Sequence, residues 1–118
     1  MPSIQPDNVS LCFHNAHRMN IIKAEELDQW IQSGKDFVLV DVREDWERAA
    51  FHIGGVHIPL SELLQRKEEI PADKPVVVYC EKGIRSHIVI QRLQEQGYDN
   101  LYNLIGGMKA WPFRKDNQ

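Results

Sequence analysis

Short apolar runs alternate along the chain with stretches of helical period. MNIIK, at Met19–Lys23, predicts a first strand. Ala24–Ser33 places Leu27, Trp30 and Ile31 at helical spacing, and Gly34 stands where a helix would end. FVLVD, at Phe37–Asp41, is an uninterrupted apolar run, as expected of a strand covered on both faces. Glu44–Ala50 follows as a short helix with acidic residues in its first turn. Gly54 and Gly55 predict a turn before a short strand around Val56–Ile58. Ser61 reads as the N-cap of a helix reaching Glu69, stopped before Pro71. Val76–Tyr79 is a second buried strand. Ser86–Gln96 is helical, with Val89, Ile90 and Leu93 inward and Gly97 as its stop. Leu101–Leu104 predicts a last strand, and Gly107–Phe113 a final short helix broken near Pro112.

Alternating strands and helices predict α/β architecture: one parallel sheet of about five strands with helices on both faces, an α/β/α sandwich. The reading divides the chain into an N-terminal extension at 1–19, a domain at 20–113 and a polar tail at 114–118. In such sheets ligands bind outside the carboxyl ends of the strands. Asp41, after FVLV, and Cys80, after VVVY, stand at two of those ends.

Composition narrows the picture. The 118 residues suit one domain, and 42% hydrophobic content supports a core. Fourteen basic residues against seventeen acidic ones give a net charge of −3, which argues against a broad nucleic-acid face. The apolar runs are too short to span a bilayer, and no signal-peptide pattern opens the sequence, so no membrane partner is expected. Two cysteines, Cys12 and Cys80, form no disulfide framework, and the expected setting is the reducing cytoplasm. Cys12, His14 and His17 offer three candidate ligands where a structural zinc takes four, so no metal site is assigned. His52 and His57 read as hydrogen-bonding residues of the turn, and His87 as a surface residue. Trp30 and Trp111 read as packing residues, and Trp46 as a cover for the cysteine loop.

The chemistry sits in VVVYCEKGIRS. Cys80 leaves a greasy strand and enters a loop that leads directly into a helix. Free N–H groups at that helix start, together with its dipole, favour negative charge and hence the thiolate nucleophile. Lys82 and Arg85 add positive charge. Gly83 permits a tight fold with φ > 0, so that successive amides can point into one concavity.

These residues resemble the active loop of the rhodanese (sulfurtransferase) family, commonly C-x-x-G-x-R-S. Three further segments agree in order: Asp41-Val42-Arg43-Glu44 with D-V-R-E, His52–Pro59 with the H-I-x-G-A…I-P segment, and Leu104–Trp111 with L-x-G-G-x-x-A-W. Two departures are visible. Phe51 replaces the usual glycine before H-I, and His52–Pro59 is one residue shorter than the common pattern.

The resemblance implies a rhodanese-like fold and a sulfane sulfur moved through a persulfide on Cys80. The donor would be a small molecule such as thiosulfate, and the acceptor cyanide or a thiol. Amides of Glu81, Lys82, Gly83, Ile84, Arg85 and Ser86 would bind the anionic group, with no metal or organic cofactor. A carrier handing sulfur to a protein partner in a relay uses the same cysteine. Phosphatase-like and non-catalytic interaction readings rank below both. The cell-cycle phosphatases, which share this fold, carry five residues between cysteine and arginine, whereas four separate Cys80 from Arg85. Arg85 has two readings, a contact to the donor or a tie to a carboxylate such as Asp41 or Glu44. Lys82 is either an anion attractor at the mouth or a solvated charge, and Glu81 is expected to be exposed. Asp41 and Arg43 read as supports beside the site, and Ser86 as a helix cap before a donor to sulfur.

Overall fold

The structure is a computed structural model that describes residues 19–113. Cys12, His14 and His17 therefore lie outside the described residues. Five strands form the sheet: β1 (Asn20–Ile22), β2 (Val38–Asp41), β3 (Val56–His57), β4 (Val76–Tyr79) and β5 (Leu101–Leu104). Their spatial order is β1-β5-β4-β2-β3, and every pairing is parallel. The α-helices are α1 (Ala24–Ser33), α2 (Asp45–Ala50) and α3 (Ile84–Gln94).

Strand β4 takes the centre because all four of its residues can be buried. Side chains alternate across a strand, so Val76, Val78 and Cys80 face one side while Val77 and Tyr79 face the other. The first face packs on Val89, Ile90 and Leu93 of α3 together with Ile58, Leu63 and Ile70. Opposite it, Val77 and Tyr79 pack with Ile22, Leu27, Leu104, Met108 and Trp111. The result is a three-layer sandwich, as the alternating pattern predicts. Register then fixes the active edge: Asp41 lies beside Tyr79, and Val78 beside Asn103. Asp41, Cys80 and Asn103 thus reach the same carboxyl end of the sheet. Among the described residues, no helix is long and apolar enough to cross a membrane.

Three expectations need correction. The helix expected from Ser61 to Glu69 is two short 3₁₀ turns, Leu60–Glu62 and Lys67–Glu69, and Pro59, not Ser61, occupies the first cap. Leu63 and Ile70 are the fully buried anchors of this segment, with Leu60 partly buried against the core, so no continuous apolar stripe holds an α-helix against the domain. Helix α3 starts at Ile84, two residues before Ser86, and stops at Gln94. The closing element is a single 3₁₀ turn at Met108–Ala110. Phe51, where the resemblance expects glycine, has φ −170°, an extended conformation open to any residue. Its carbonyl accepts a bond from Arg43, so the departure leaves the turn intact.

Candidate active site

Cys80 follows directly on β4, and its sulfur continues the buried face of Val76 and Val78. The expectation of a thiol driven out of the core is corrected here: Cys80 is only 1% exposed. It forms the floor of a cavity of about 360 Å³ lined also by Glu47, Glu81, Lys82, Ile84 and Arg85. Two amides meet the sulfur. Gly83 N–H donates to Sγ at 3.1 Å and Ser86 N–H at 3.3 Å. Gly83 is the N-cap of α3 with φ 94°, a left-handed conformation that glycine adopts without strain. The first four N–H groups of a helix lack intrahelical acceptors. The cysteine sulfur thus takes the place of a capping side chain, which is why α3 begins earlier than the sequence suggests.

Ser86 is not the cap. Its hydroxyl donates to Asn103 Oδ1, while Asn103 Nδ2 donates to the Gly83 carbonyl at 3.2 Å. The second bond fixes which end of the amide faces Ser86. The single hydroxyl proton is therefore committed to Asn103, and Ser86 Oγ presents a lone pair to Sγ at 3.4 Å. Negative charge on the sulfur is answered by the two amides rather than by the hydroxyl.

The closing segment braces the loop from behind. Met108 N–H donates to Cys80 O at 3.0 Å and Lys109 N–H to Glu81 O at 2.8 Å. Gly107 makes this approach feasible. With φ 58°, it sits so close that a Cβ would lie 2.4 Å from Cys80 O.

Charged side chains at this edge are mostly paired. Arg85 makes a carboxylate tie, with Glu47 as its partner rather than Asp41 or Glu44: Nη1 and Nη2 each lie 2.8 Å from a Glu47 oxygen. The guanidinium holds the Glu47 carboxyl below the usual carboxylate range. Arg43, 2% exposed, embraces the fully buried Asp41 through Nε at 3.0 Å and Nη2 at 3.1 Å. Asp41 also accepts from Arg48 at 3.2 Å. Arg43 Nη1 reaches Glu81 at 3.2 Å, so Glu81 is half-buried and ion-paired rather than simply exposed. Tyr79 donates to Gly54 O at 2.8 Å, and burial pushes its hydroxyl up to about 12.

Lys82 is exposed and has no ion-pair partner among the described residues. Ile84 lies at the rim, 65% exposed. His52 accepts from Gly54 N–H and His57 contacts the Arg43 carbonyl, both turn-holding roles. His87 is on the surface. Trp46 does not cover the thiol: it is 73% exposed and lines a neighbouring cavity with Phe51 and Met108. No cluster of three or more metal-ligating side chains occurs among the described residues.

Glu47 and Asn103 escape a reading of the sequence. Glu47 looks like one of several acids complementing a helix dipole. Asn103 carried a fainter signal, a polar residue inside the apolar strand LYNL, where burial demands a partner.

A parallel sheet whose central strand delivers a cysteine to the amides of the next helix defines the class. A family model, the rhodanese-like domain, matches residues 23–112, and the chain belongs to that family. Among its relatives, thiosulfate sulfurtransferase GlpE of Coxiella burnetii is 38% identical over 87 residues, covering 72% of this chain and 81% of that protein. A sulfurtransferase of Allochromatium vinosum is 38% identical over 94 residues, covering 79% and 88% of the two chains. The crystal structure of a rhodanese-like domain protein from Staphylococcus aureus superposes with a TM-score of 0.74 at 31% identity, over 79% of this chain and 91% of that one.

Proposed function

We propose that the protein is a sulfurtransferase that carries sulfane sulfur as a persulfide on Cys80. The observation that carries this reading is the pair of amides, from Gly83 and Ser86, converging on Sγ at 3.1 and 3.3 Å. They favour the thiolate without a neighbouring base. That thiolate attacks the outer sulfur of thiosulfate, the S–S bond breaks, and sulfite leaves with the bonding electron pair. Two displacements, one to load and one to discharge, make the kinetics ping-pong. Ile84 and Arg85 supply the remaining orphan amides of the first turn, for the outer sulfur and the donor's oxyanion. Lys82 raises the local concentration of anions at the mouth. Arg85 acts through Glu47 as a positioning residue, and Asp41 with Arg43 holds the wall behind Glu81. The relatedness to sulfurtransferases of similar length supports the same chemistry.

Mass spectrometry after thiosulfate treatment tests the proposal. The wild type should gain the mass of one sulfur atom on Cys80, and Cys80→Ser should gain none. An unmodified wild-type protein, or an adduct that persists in Cys80→Ser, would overturn the reading. Steady-state turnover with cyanide then separates an enzyme from a relay carrier. Hydrolysis of an aryl phosphate without sulfur loading would point to a phosphatase instead.

A further inference from the structure

Hydrogen bonds close a ring behind the cysteine loop. Gly83 N–H donates to Sγ, the Ser86 hydroxyl to Asn103 Oδ1, and Asn103 Nδ2–H back to the Gly83 carbonyl. The contact between Ser86 Oγ and Sγ, at 3.4 Å, completes it. Ser86 is fully buried and Asn103 only 7% exposed. At that depth the protein itself must satisfy the hydroxyl. Asn103 is available because parallel register sets it beside Val78, two residues before the thiol.

An amide oxygen only accepts, so Asn103 Oδ1 takes the one proton that Ser86 can give. What faces the sulfur is then an oxygen lone pair. A neutral thiol can use it, with S–H donating to Oγ. A thiolate cannot, because the lone pair repels its charge. Turning the hydroxyl toward the thiolate does not escape the cost, since Asn103 Oδ1 is then left buried and unpaired. In either arrangement Asn103 opposes the two amides that favour ionisation. The charged side chains lining the cavity stand outside this ring: Glu47 from α2, Glu81 and Lys82 from the loop, and Arg85 from α3. The ring holds no titratable group besides the thiol, so the thiol proton leaves through the cavity to solvent. Withholding a donor has a chemical use. The reactivity of a thiolate falls as its thiol becomes more acidic, with a Brønsted slope of about 0.4–0.5. A sulfur held by every available donor would ionise readily and attack poorly.

Resting on the sulfurtransferase reading for its purpose, we propose that Asn103 is a positioning residue that withholds the Ser86 hydroxyl from the Cys80 thiolate and so preserves its reactivity toward the sulfur donor. Asn103 acts through Ser86 and touches no reacting atom.

The test is the pH dependence of iodoacetamide alkylation in the full chain, followed on the Cys80 peptide by mass spectrometry. Ser86→Ala removes the lone pair with little change of shape. Its alkylation midpoint should move to lower pH. A hydroxyl that donates to the thiolate gives the opposite shift on removal, and that result would overturn the proposal. Asn103→Leu frees the hydroxyl to donate to Sγ. It should also lower the midpoint, but should shift nothing when residue 86 is already alanine. A shift of equal size in both backgrounds would reduce Asn103 to a support for the Gly83 carbonyl and overturn the proposal too. Should Asn103→Leu fail to fold, the sign of the Ser86→Ala shift decides alone. At alkaline pH, where Cys80 is ionised in every variant, thiosulfate should load Asn103→Leu more slowly than wild type. The loss should be about threefold for each pH unit by which the midpoint has fallen. Undiminished loading there would refute the preserved reactivity. Absence of sulfur loading in the wild type, with the alkylation shifts intact, would instead sink the sulfurtransferase reading and leave the placement of the hydroxyl proton standing.

Discussion

Glu47 performs two tasks with one carboxylate. Its Oε1 accepts the Glu44 amide at 2.9 Å, starting α2, and both of its oxygens hold Arg85. Glu47→Gln should keep the helix start but lose the bidentate charge pair. Arg85 is about one-third exposed, so the stability loss should stay within about 1 kcal/mol by chemical denaturation. Sulfur loading of Cys80 should slow more than that modest loss suggests, because Arg85 borders the cavity. A variant that loads at the wild-type rate would remove Glu47 from the positioning role. The pH dependence has a definite sign. A carboxyl whose folded value is depressed stabilises above its ordinary value, near 4.5, and loses that contribution as pH falls through the depressed one. Acid titration of stability should therefore show a decline below about pH 4.5 that is shallower in Glu47→Gln.

At the level of elements, the cysteine loop is held between the start of α3 and the closing 3₁₀ turn at Met108–Ala110. Two glycines offer a controlled comparison. Gly34 and Gly107 both have positive φ, 72° and 58°, but a Cβ at Gly34 would meet nothing within 4 Å. At Gly107 it would meet the carbonyl oxygens of Cys80 and Glu81 at 2.4 and 2.6 Å. Gly34→Ala should lose about 1–2 kcal/mol from the left-handed backbone alone and load sulfur normally. Gly107→Ala should lose more and should also impair loading, because its methyl group displaces the backbone that carries Cys80. Equal effects on loading in the two variants would show that the brace is dispensable.

For the whole molecule, burial and pairing concentrate stability in the centre of the sheet. Strand β4 is hydrogen-bonded on both edges and wholly buried, whereas β3 is a two-residue edge strand. Hydrogen exchange should be slowest at the amides of Val76–Tyr79 and fast at Val56–His57. The reverse order would contradict the topology. Cys80 is thus attached to the most protected strand, while the rim residues Trp46, Ile84 and Lys82 stay solvated. A rigid floor below an accessible rim suits the proposed task of holding a reactive sulfur and then releasing it.

Much of this was legible without coordinates, since VVVY and FVLV can only be buried strands, and a thiol followed by glycine and a helix points to an anion-stabilising turn. Local patterns carry such information because they depend on neighbours in sequence. The helix expected at Ser61–Glu69 failed for the complementary reason: whether a marginal amphipathic segment coils depends on what lies beneath it, and just Leu63 and Ile70 became fully buried there. Likewise, four acids near residue 44 look alike until the fold brings one of them to Arg85, 38 positions away. Asn103 reaches Ser86 and Gly83 only because parallel register sets β5 beside β4. The sequence by itself determined the strands and the placing of Cys80 in a turn that leads into a helix start. Tertiary structure alone decided which charges are neutralised, how deep the sulfur lies and what cavity adjoins it, because those depend on contacts between residues distant along the chain.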